Sequence, residues 1–597
     1  MHLTCPEDFR GPGCAFGPLP SRFSGTRTRW CSFVPQLRAS GGLWPAGCGR
    51  WTRWSPCAVL LLLPLGVSAQ RRGNPNSAIS RNLEVFNDIY KQLDVFYVDS
   101  LDADTVIGWA IRSMLQHVDP FTSYYPEDDE ELRQMATGRY AGIGSVIRFH
   151  RGENRAVISE PYEGTPSQRA GLRAGDVIVS VDGRDVEGMP TDRVSGMLRG
   201  EAGTTFELCV KRPGESDVRS FTITRQSIQM PQVPFSGMVR PGVGYICLTG
   251  FTEGASREVR AALTELKAQG AQGVVLDLRD NPGGSLNEAV EVTNLFVPKG
   301  RRVVSTRGKM PGTNREFLTA TEPVDSLMPL VVLVDGGSAS SSEIVCGCLQ
   351  DMDRAVVVGT RTYGKGLVQM VRDVAYGGDL KITTSRYYIP SGRCIQAYDY
   401  RHLNADGSVG VVPDSLTRVF HTAGGREVRD GGGIKPDVEV RPDSLPTLIY
   451  DLVGSEAFFD YATRYAQAHA TIAPPGEFRL GDADFADFVD FIKGTGFTYN
   501  RRSDDVLKLL KDVARREGYW DEARDAFEAL EAKFSNDLSA DLYRFRDKIE
   551  PYVCDEIVHR YYYQRGGAQQ QLTNDPCMDR ALELLSNPME YNGILGR

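Results

Sequence analysis

The chain has 597 residues, too many for one hydrophobic core, so three or four domains are expected. Its formal net charge of −9 hides an asymmetry: the first 69 residues carry seven Arg against two acids, about +5, which leaves about −14 on the rest. Such an acidic remainder argues against nucleic-acid binding through the overall field. No HExxH or CxxC spacing occurs among the 7 His and 12 Cys, so neither a metal nor a cofactor is expected.

Residues 57–69, Cys-Ala-Val-Leu-Leu-Leu-Leu-Pro-Leu-Gly-Val-Ser-Ala, follow Arg50 and Arg53 and end in a small-x-small pattern. The run is far shorter than the roughly 20 residues of a membrane span and has the form of a secretory signal. Residues 1–69 are read as a leader cleaved after Ala69. The expected location is exported and periplasmic, with membrane association if the segment stays uncut. Residues 1–49, rich in Gly, Arg, Trp and Cys without apolar periodicity, are set aside from the fold. Seven Cys remain beyond the leader. Cys346 and Cys348 read as buried helix residues, and Cys554 with Cys577 as the one candidate disulfide.

Residues 78–137 form a helical N-terminal segment. Leu83, Val85, Phe86, Ile89, Tyr90 and Leu93 recur at helical spacing, as do Val106, Ile107, Ala110, Ile111 and Leu115. Asp119-Pro120 ends that pair, and the acidic run Glu127–Glu131 opens another short helix. Residues 138–226 change to short strands with Gly turns. The loop Gly142-Ile143-Gly144, the stretch Pro166–Ala170 with Gly171-Leu172, and Gly175-Asp176-Val177-Ile178 give this module a resemblance to a PDZ domain. That resemblance implies capture of a peptide C-terminus by backbone N–H groups of the Gly142–Gly144 loop.

Residues 228–445 alternate strand and helix, the rhythm of a layered α/β core. The strand Gly273–Leu278 runs into Arg279-Asp280-Asn281-Pro282-Gly283-Gly284-Ser285. Two glycines before a helix expose backbone N–H groups, suited to an oxyanion hole, to a phosphate-type anion loop or to a plain turn. The apolar run Pro329–Val334 precedes Ser338-Ala339-Ser340-Ser341-Ser342-Glu343. A second run, Ala355–Val358, precedes Gly364-Lys365-Gly366. A serine hydroxyl needs an adjacent base, and a lysine serves only if burial brings its amine well below about 10.4. Lys365 lies among Gly, Leu and Val with no acid between Gly359 and Arg372. Gln369 lies four residues on, where a helix would set its amide beside the lysine. The competing reading is structural: serines before helices are usually N-caps, and Ser340 with Glu343 fits a capping box. Residues 446–597 are mostly helical, clearest at 506–515 and 519–534. Tyr561–Tyr563 and Leu582, Leu584 and Leu585 read as core faces.

Taken in order, these motifs resemble the carboxy-terminal processing peptidases, or tail-specific proteases. The resemblance covers roughly residues 80–445. It also includes His117-Val118-Asp119-Pro120-Phe121-Thr122-Ser123-Tyr124-Tyr125, Arg386–Arg393 and Gly433-Ile434-Lys435-Pro436-Asp437. It implies a multidomain α/β protein with a helical N-terminal segment, a PDZ module, a peptidase core of the crotonase and Clp-protease type, and a helical C-terminal region of unassigned role. It implies a serine endopeptidase acting at or near the C-termini of polypeptides. Ser340 would be the nucleophile, Lys365 the base and Gln369 the residue orienting the lysine. The backbone N–H groups of Ser341 and of Gly283 or Gly284 would form the oxyanion hole, and Arg199 would couple peptide binding to the site. The family usually has Ala where this chain has Ser341, which makes that hydroxyl a rival nucleophile. Expected partners are polypeptides with apolar C-termini, with a peripheral membrane or lipoprotein adaptor as a further candidate. The alternatives are a non-catalytic PDZ chaperone or adaptor that holds C-terminal tails, and a crotonase-type acyl-transfer enzyme.

Overall fold

The apolar runs of residues 228–445 assemble into one six-stranded sheet in the computed structural model. The structure describes residues 75–126, 134, 137–404, 408–499, 501–534 and 537–597. The leader and the acidic run Glu127–Glu131 lie outside these residues. Strand order is Ser236–Arg240, Val243–Cys247, Gly273–Asp277, Leu330–Val334, Val356–Gly359, Val438–Glu439; the first pair is antiparallel and the rest parallel. Crossover helices Ala255–Ala268, Leu286–Asn294 and Ser341–Asp351 follow the second, third and fourth of these strands. Continuous apolar runs such as Leu330–Val334 are needed because both faces of the sheet are buried. Leu330, Val332 and Val334 face the crossover helices. Val331 and Leu333 face a second layer made by Met578, Ala581, Leu582 and Leu584.

That second layer comes from the C-terminal region. Helices Pro576–Ser586 and Pro588–Ile594 lie against the core sheet, and the buried Tyr591 hydroxyl bonds both backbone groups of Leu330, at 2.9 and 3.0 Å. The same region holds the 138–226 module. Phe459 packs with Val157 and Val177, the Arg148 guanidinium lies 3.6 Å from the Phe459 ring centre, and His150 bonds Asp460 at 3.0 Å. The C-terminal helices therefore join the module to the core. Tyr561 and Tyr562 pack on the helical cluster and Leu582 and Leu584 on the sheet, as core faces.

The 138–226 module is a sheet in the order Ser145–His150, Arg155–Pro161, Val177–Val181, Thr205–Lys211, Val218–Thr224, with helices Pro166–Ala170 and Thr191–Leu198. Asp176 makes it rigid: buried, it takes both prongs of the Arg212 guanidinium at 2.8 Å and the Arg173 amide at 2.8 Å. A second antiparallel layer of the core pairs the long strand Asp379–Tyr388 with Leu367–Asp373, Arg302–Gly308 and Ser123–Tyr125.

Three local expectations are corrected. Leu367–Asp373 is a strand, not a helix, so Gln369 shares no helical face with Lys365. Ser123–Tyr125 is a strand laid on the core after the helices, which periodicity did not reveal. Cys554 and Cys577 are both free thiols, as are all seven cysteines described, and they lie in different apolar clusters. Cys346 and Cys348 are buried in their helix.

The unit Gly13–Ile111 is described from residue 75. There the helix Pro75–Phe96 carries the apolar stripe Val85, Ile89, Leu93 and Phe96 along one hollow. Among the described residues no helix is long and apolar enough to cross a membrane.

Candidate active site

Three loops leave the carboxyl ends of adjacent parallel strands: 278–285, 335–340 and 360–366. Open α/β sheets place their ligand sites at this edge. The middle loop ends at Ser340, whose φ of 55° and ψ of −111° make a sharp strand-to-helix turn. A non-glycine residue at positive φ is strained, and the helix Ser341–Asp351 begins immediately after it, with Ser340 at its N-cap. The first amides of that helix, with the positive end of its dipole, face the region of the Ser340 hydroxyl.

The neighbouring serines are structural. Ser338, Ser341 and Ser342 are buried, and they donate to Leu278 O at 2.7 Å, Gly284 O at 2.9 Å and Asn281 O at 2.8 Å. All three hydroxyls therefore pin the serine turn to the glycine loop. Ser341 is removed as a rival nucleophile, because its hydroxyl is committed and out of solvent. Ser340 is half-buried.

The glycine loop closes directly over Ser340. A Cβ on Gly283, at φ 95°, would lie 2.8 Å from Ser340 Cβ and 2.8 Å from the Ser341 amide nitrogen. Only glycine permits that approach. The Gly283 amide itself donates to Asn281 Oδ1 at 2.9 Å. Gly284 bridges Phe251 through its neighbours, Ser285 N to Phe251 O and Phe251 N to Gly283 O, so its own amide stays outside that bridge.

One side chain joins the serine turn to the lysine loop. Glu343 is buried, and its Oε2 accepts the amides of Ser340 and Lys365, each at 2.9 Å. Its Oε1 accepts the Gly364 amide at 2.8 Å and the Thr362 hydroxyl. Burial pushes this carboxyl up to about 7 against the pull of those four donors. From the other side, the buried Tyr387 hydroxyl reaches the carbonyls of both Ser340 and Lys365. Thr362 also takes the Ile434 amide at 2.7 Å, and a Cβ on Gly364 would lie 2.3 Å from Ala397 Cβ. Asp437 accepts from Gln350 and from the Val357 amide, and Arg393 pairs with the buried Asp351. The motifs at 386–393 and 433–437 thus frame the two loops.

The Lys365 amine is held down to about 8, first by burial and then by the positive charge of Lys381. Its nitrogen lies 4.2 Å from the centre of the Phe121 ring. Gln369 donates its amide to Thr383 Oγ1 at 3.1 Å. Among the described residues no hydrogen bond joins the side chains of Ser340, Lys365 and Gln369 to one another; such bonds often tighten only when substrate arrives. Sequence reading missed Glu343 as a bridge, Tyr387 and Phe121. The capping-box pattern was the one signal for Glu343.

In the small module Ile143 is buried in the core, and the Gly144 carbonyl takes the hydroxyls of Thr165 at 2.9 Å and Ser167 at 2.6 Å. The Gly144 and Ser145 amides face the Tyr140 hydroxyl, and the Arg199 guanidinium lies 5.3 Å from the Tyr140 ring centre. Arg199 is therefore half-buried beside the Gly142–Gly144 loop. That loop shares no hydrogen bond with Ser340 or Lys365 among the described residues.

Fold and site together define a multidomain serine hydrolase with a peptide-binding module. Residues 242–417 match the model of peptidase family S41, residues 157–212 that of the PDZ domain, and residues 448–585 that of a probable PDZ-protease C-terminal helical domain. The chain is 33% identical over 362 residues to the carboxy-terminal-processing protease of Bartonella bacilliformis, covering 60% of this chain and 79% of that one. It is 36% identical over 312 residues to the carboxyl-terminal-processing protease of Synechocystis sp., covering 51% and 70%. A solved structure of a photosystem II D1 C-terminal processing protease is 31% identical, with 60% and 88% covered and a TM-score of 0.34. The chain belongs to the carboxy-terminal processing proteases of peptidase family S41 and is a serine-type peptidase.

Proposed function

We propose that the protein cleaves exported polypeptides at or near their C-termini with a Ser340/Lys365 dyad. The observation that carries this reading is the Glu343 carboxylate, which ties the Ser340 and Lys365 amides to one point. The neutral Lys365 amine takes the Ser340 proton as Oγ attacks the peptide carbonyl. The Ser341 amide and, because Gly283 is committed to Asn281, the Gly284 amide receive the oxyanion. Lys365 then gives its proton to the leaving amine, and water hydrolyses the acyl-enzyme by the same path in reverse. Gln369 reaches the lysine from its strand once Thr383 releases its amide. The PDZ loop Gly142–Gly144 takes the substrate carboxylate, and Arg199 on Tyr140 links that event to the core. A peripheral membrane or lipoprotein adaptor would deliver substrates.

Carboxylate capture is tested with an unfolded protein carrying an apolar tail, compared with the same chain amidated at its C-terminus. Amidation is expected to raise KM about tenfold or more, since it removes the negative charge and sets an N–H donor where a carboxylate oxygen would accept. Equal kcat/KM for the two would end the PDZ role, and stoichiometric binding without turnover would favour a tail-holding adaptor. The export reading predicts a mature chain in the periplasmic fraction that begins at Gln70; an intact N-terminus in the cytoplasmic fraction would contradict it.

A further inference from the structure

The segment His117–Tyr125 carries no role in the chemistry above, yet it reaches the lysine. Asp119 is buried and folds the segment on itself: its Oδ1 accepts the amides of Phe121 at 2.8 Å and Thr122 at 2.9 Å, and its Oδ2 the Thr122 hydroxyl at 3.1 Å. Immediately after, Ser123–Tyr125 pairs with the strand Asp379–Tyr388, Ser123 opposite Lys381. Thr122 Oγ1 also accepts the Thr383 amide at 3.3 Å, and Thr383 is the residue that holds the Gln369 side chain. The register of this strap is thus fixed on the strand that flanks the lysine. What it presents there is the Phe121 ring, 4.2 Å from Lys365 Nζ and packed edge-on to Tyr400 at 5.8 Å.

We propose that Phe121 is a positioning residue for the lysine base: its ring closes over the Lys365 amine, keeps bulk water from it and holds it in one place. The role rests on Lys365 being the base of the reaction. Asp119 acts one step further back, by fixing the turn that carries the ring.

The charged groups that face the amine are Lys381 on the flanking strand, Glu343 on the helix behind Ser340, and Asp119 on the strap itself. Lys381 disfavours the ammonium, and the two carboxylates favour it. Burial is the largest influence and also disfavours it. The ring has two opposed effects: its face attracts a cation, and its bulk excludes water. Water solvates an ammonium better than a ring face does, so removing the ring raises the amine toward its ordinary value.

The test is the titration of the Lys365 side chain, read by NMR of 13Cε-lysine-labelled full-length protein and assigned against Lys365→Arg. It is made in the Ser340→Ala background, where nothing turns over. Phe121→Ala is expected to move the Lys365 midpoint up by about one pH unit or more. Phe121→Leu, which keeps an apolar cover, is expected to leave it in place or lower it. In protein with Ser340 intact, the acid limb of kcat/KM should follow the same shift with KM little changed. An unmoved midpoint in Phe121→Ala overturns the proposal. If that variant does not fold, Phe121→Gln is expected to give the upward shift, and its absence overturns the proposal equally. A Phe121→Leu midpoint raised by about one unit or more overturns it in every case. Because the titration needs no activity, its outcome is separate from that of the dyad: full cleavage by Lys365→Ala would sink the dyad and leave the titration result standing.

Discussion

Replacing Ser340 with Ala is expected to lower kcat on an unfolded polypeptide by roughly 10⁴-fold or more, with folding retained, and Lys365→Ala is expected to do the same. The nucleophile and base act as a unit, so the double variant should be no worse than either single one. Folding survives because the Ser340→Ala chain keeps the backbone amide that Glu343 holds. Arg, Glu or His at 365 should not restore cleavage. Arginine stays charged, and neither of the others places a neutral amine where burial and Lys381 hold one near 8. The same amine sets the pH profile. It must be neutral to take a proton, so kcat/KM should rise with pH through about 8 and level off above it. A steady-state assay of purified protein with circular dichroism on each variant decides this. Full activity in either folded variant contradicts the dyad.

The second large effect is expected at Glu343. Removing its carboxylate with Glu343→Ala leaves the amides of Ser340, Gly364 and Lys365 without their acceptor. Each buried unpaired donor costs about 1–3 kcal/mol, and the two loops lose their shared anchor. Small misplacements of reacting groups can cost on the order of 100-fold, so kcat should fall by about that factor even where the variant remains folded. Glu343→Gln is the informative comparison. With its amide nitrogen in place of Oε1, the oxygen still serves Ser340 and Lys365, while the Gly364 amide and the Thr362 hydroxyl proton lose their acceptor. That variant should keep kcat within about tenfold while losing about 1–3 kcal/mol of stability. The wild-type carboxyl, raised by burial to about 7, contributes stability that is present below its ordinary range and lost as pH rises through 7. Glutamine removes that fall. Denaturant titrations at pH 5 and 8 read it directly, and unchanged kcat in Glu343→Ala would reduce the residue to a helix cap.

Much of this was legible in the chain itself. Apolar runs ending in Ser338–Glu343 and Gly364–Gly366 are strands buried on both faces followed by turns, and the structure places both turns at one sheet edge. Glu343 was legible only as half of a capping box. Its local partner, the Ser340 amide, obeys that pattern, but its other oxygen serves a loop some twenty residues further on, and no short-range pattern encodes that reach. The stretch after Lys365 left its element open, because a four-residue spacing would suit a helix, whereas pairing with Asp379–Tyr388 makes it a strand. Phe121 and the C-terminal helices were opaque for the same reason: their apolar faces have partners hundreds of residues away, on the lysine and on the core sheet.

The most direct measurement is the location of the acyl group. Wild-type protein is mixed with an activated peptide ester, quenched in acid while turning over, digested and mapped by mass spectrometry. The expected adduct sits on the Ser340 oxygen and is absent from Ser340→Ala. An adduct on Ser338, Ser341, Ser342 or a cysteine, or undiminished turnover by Ser340→Ala, would contradict it.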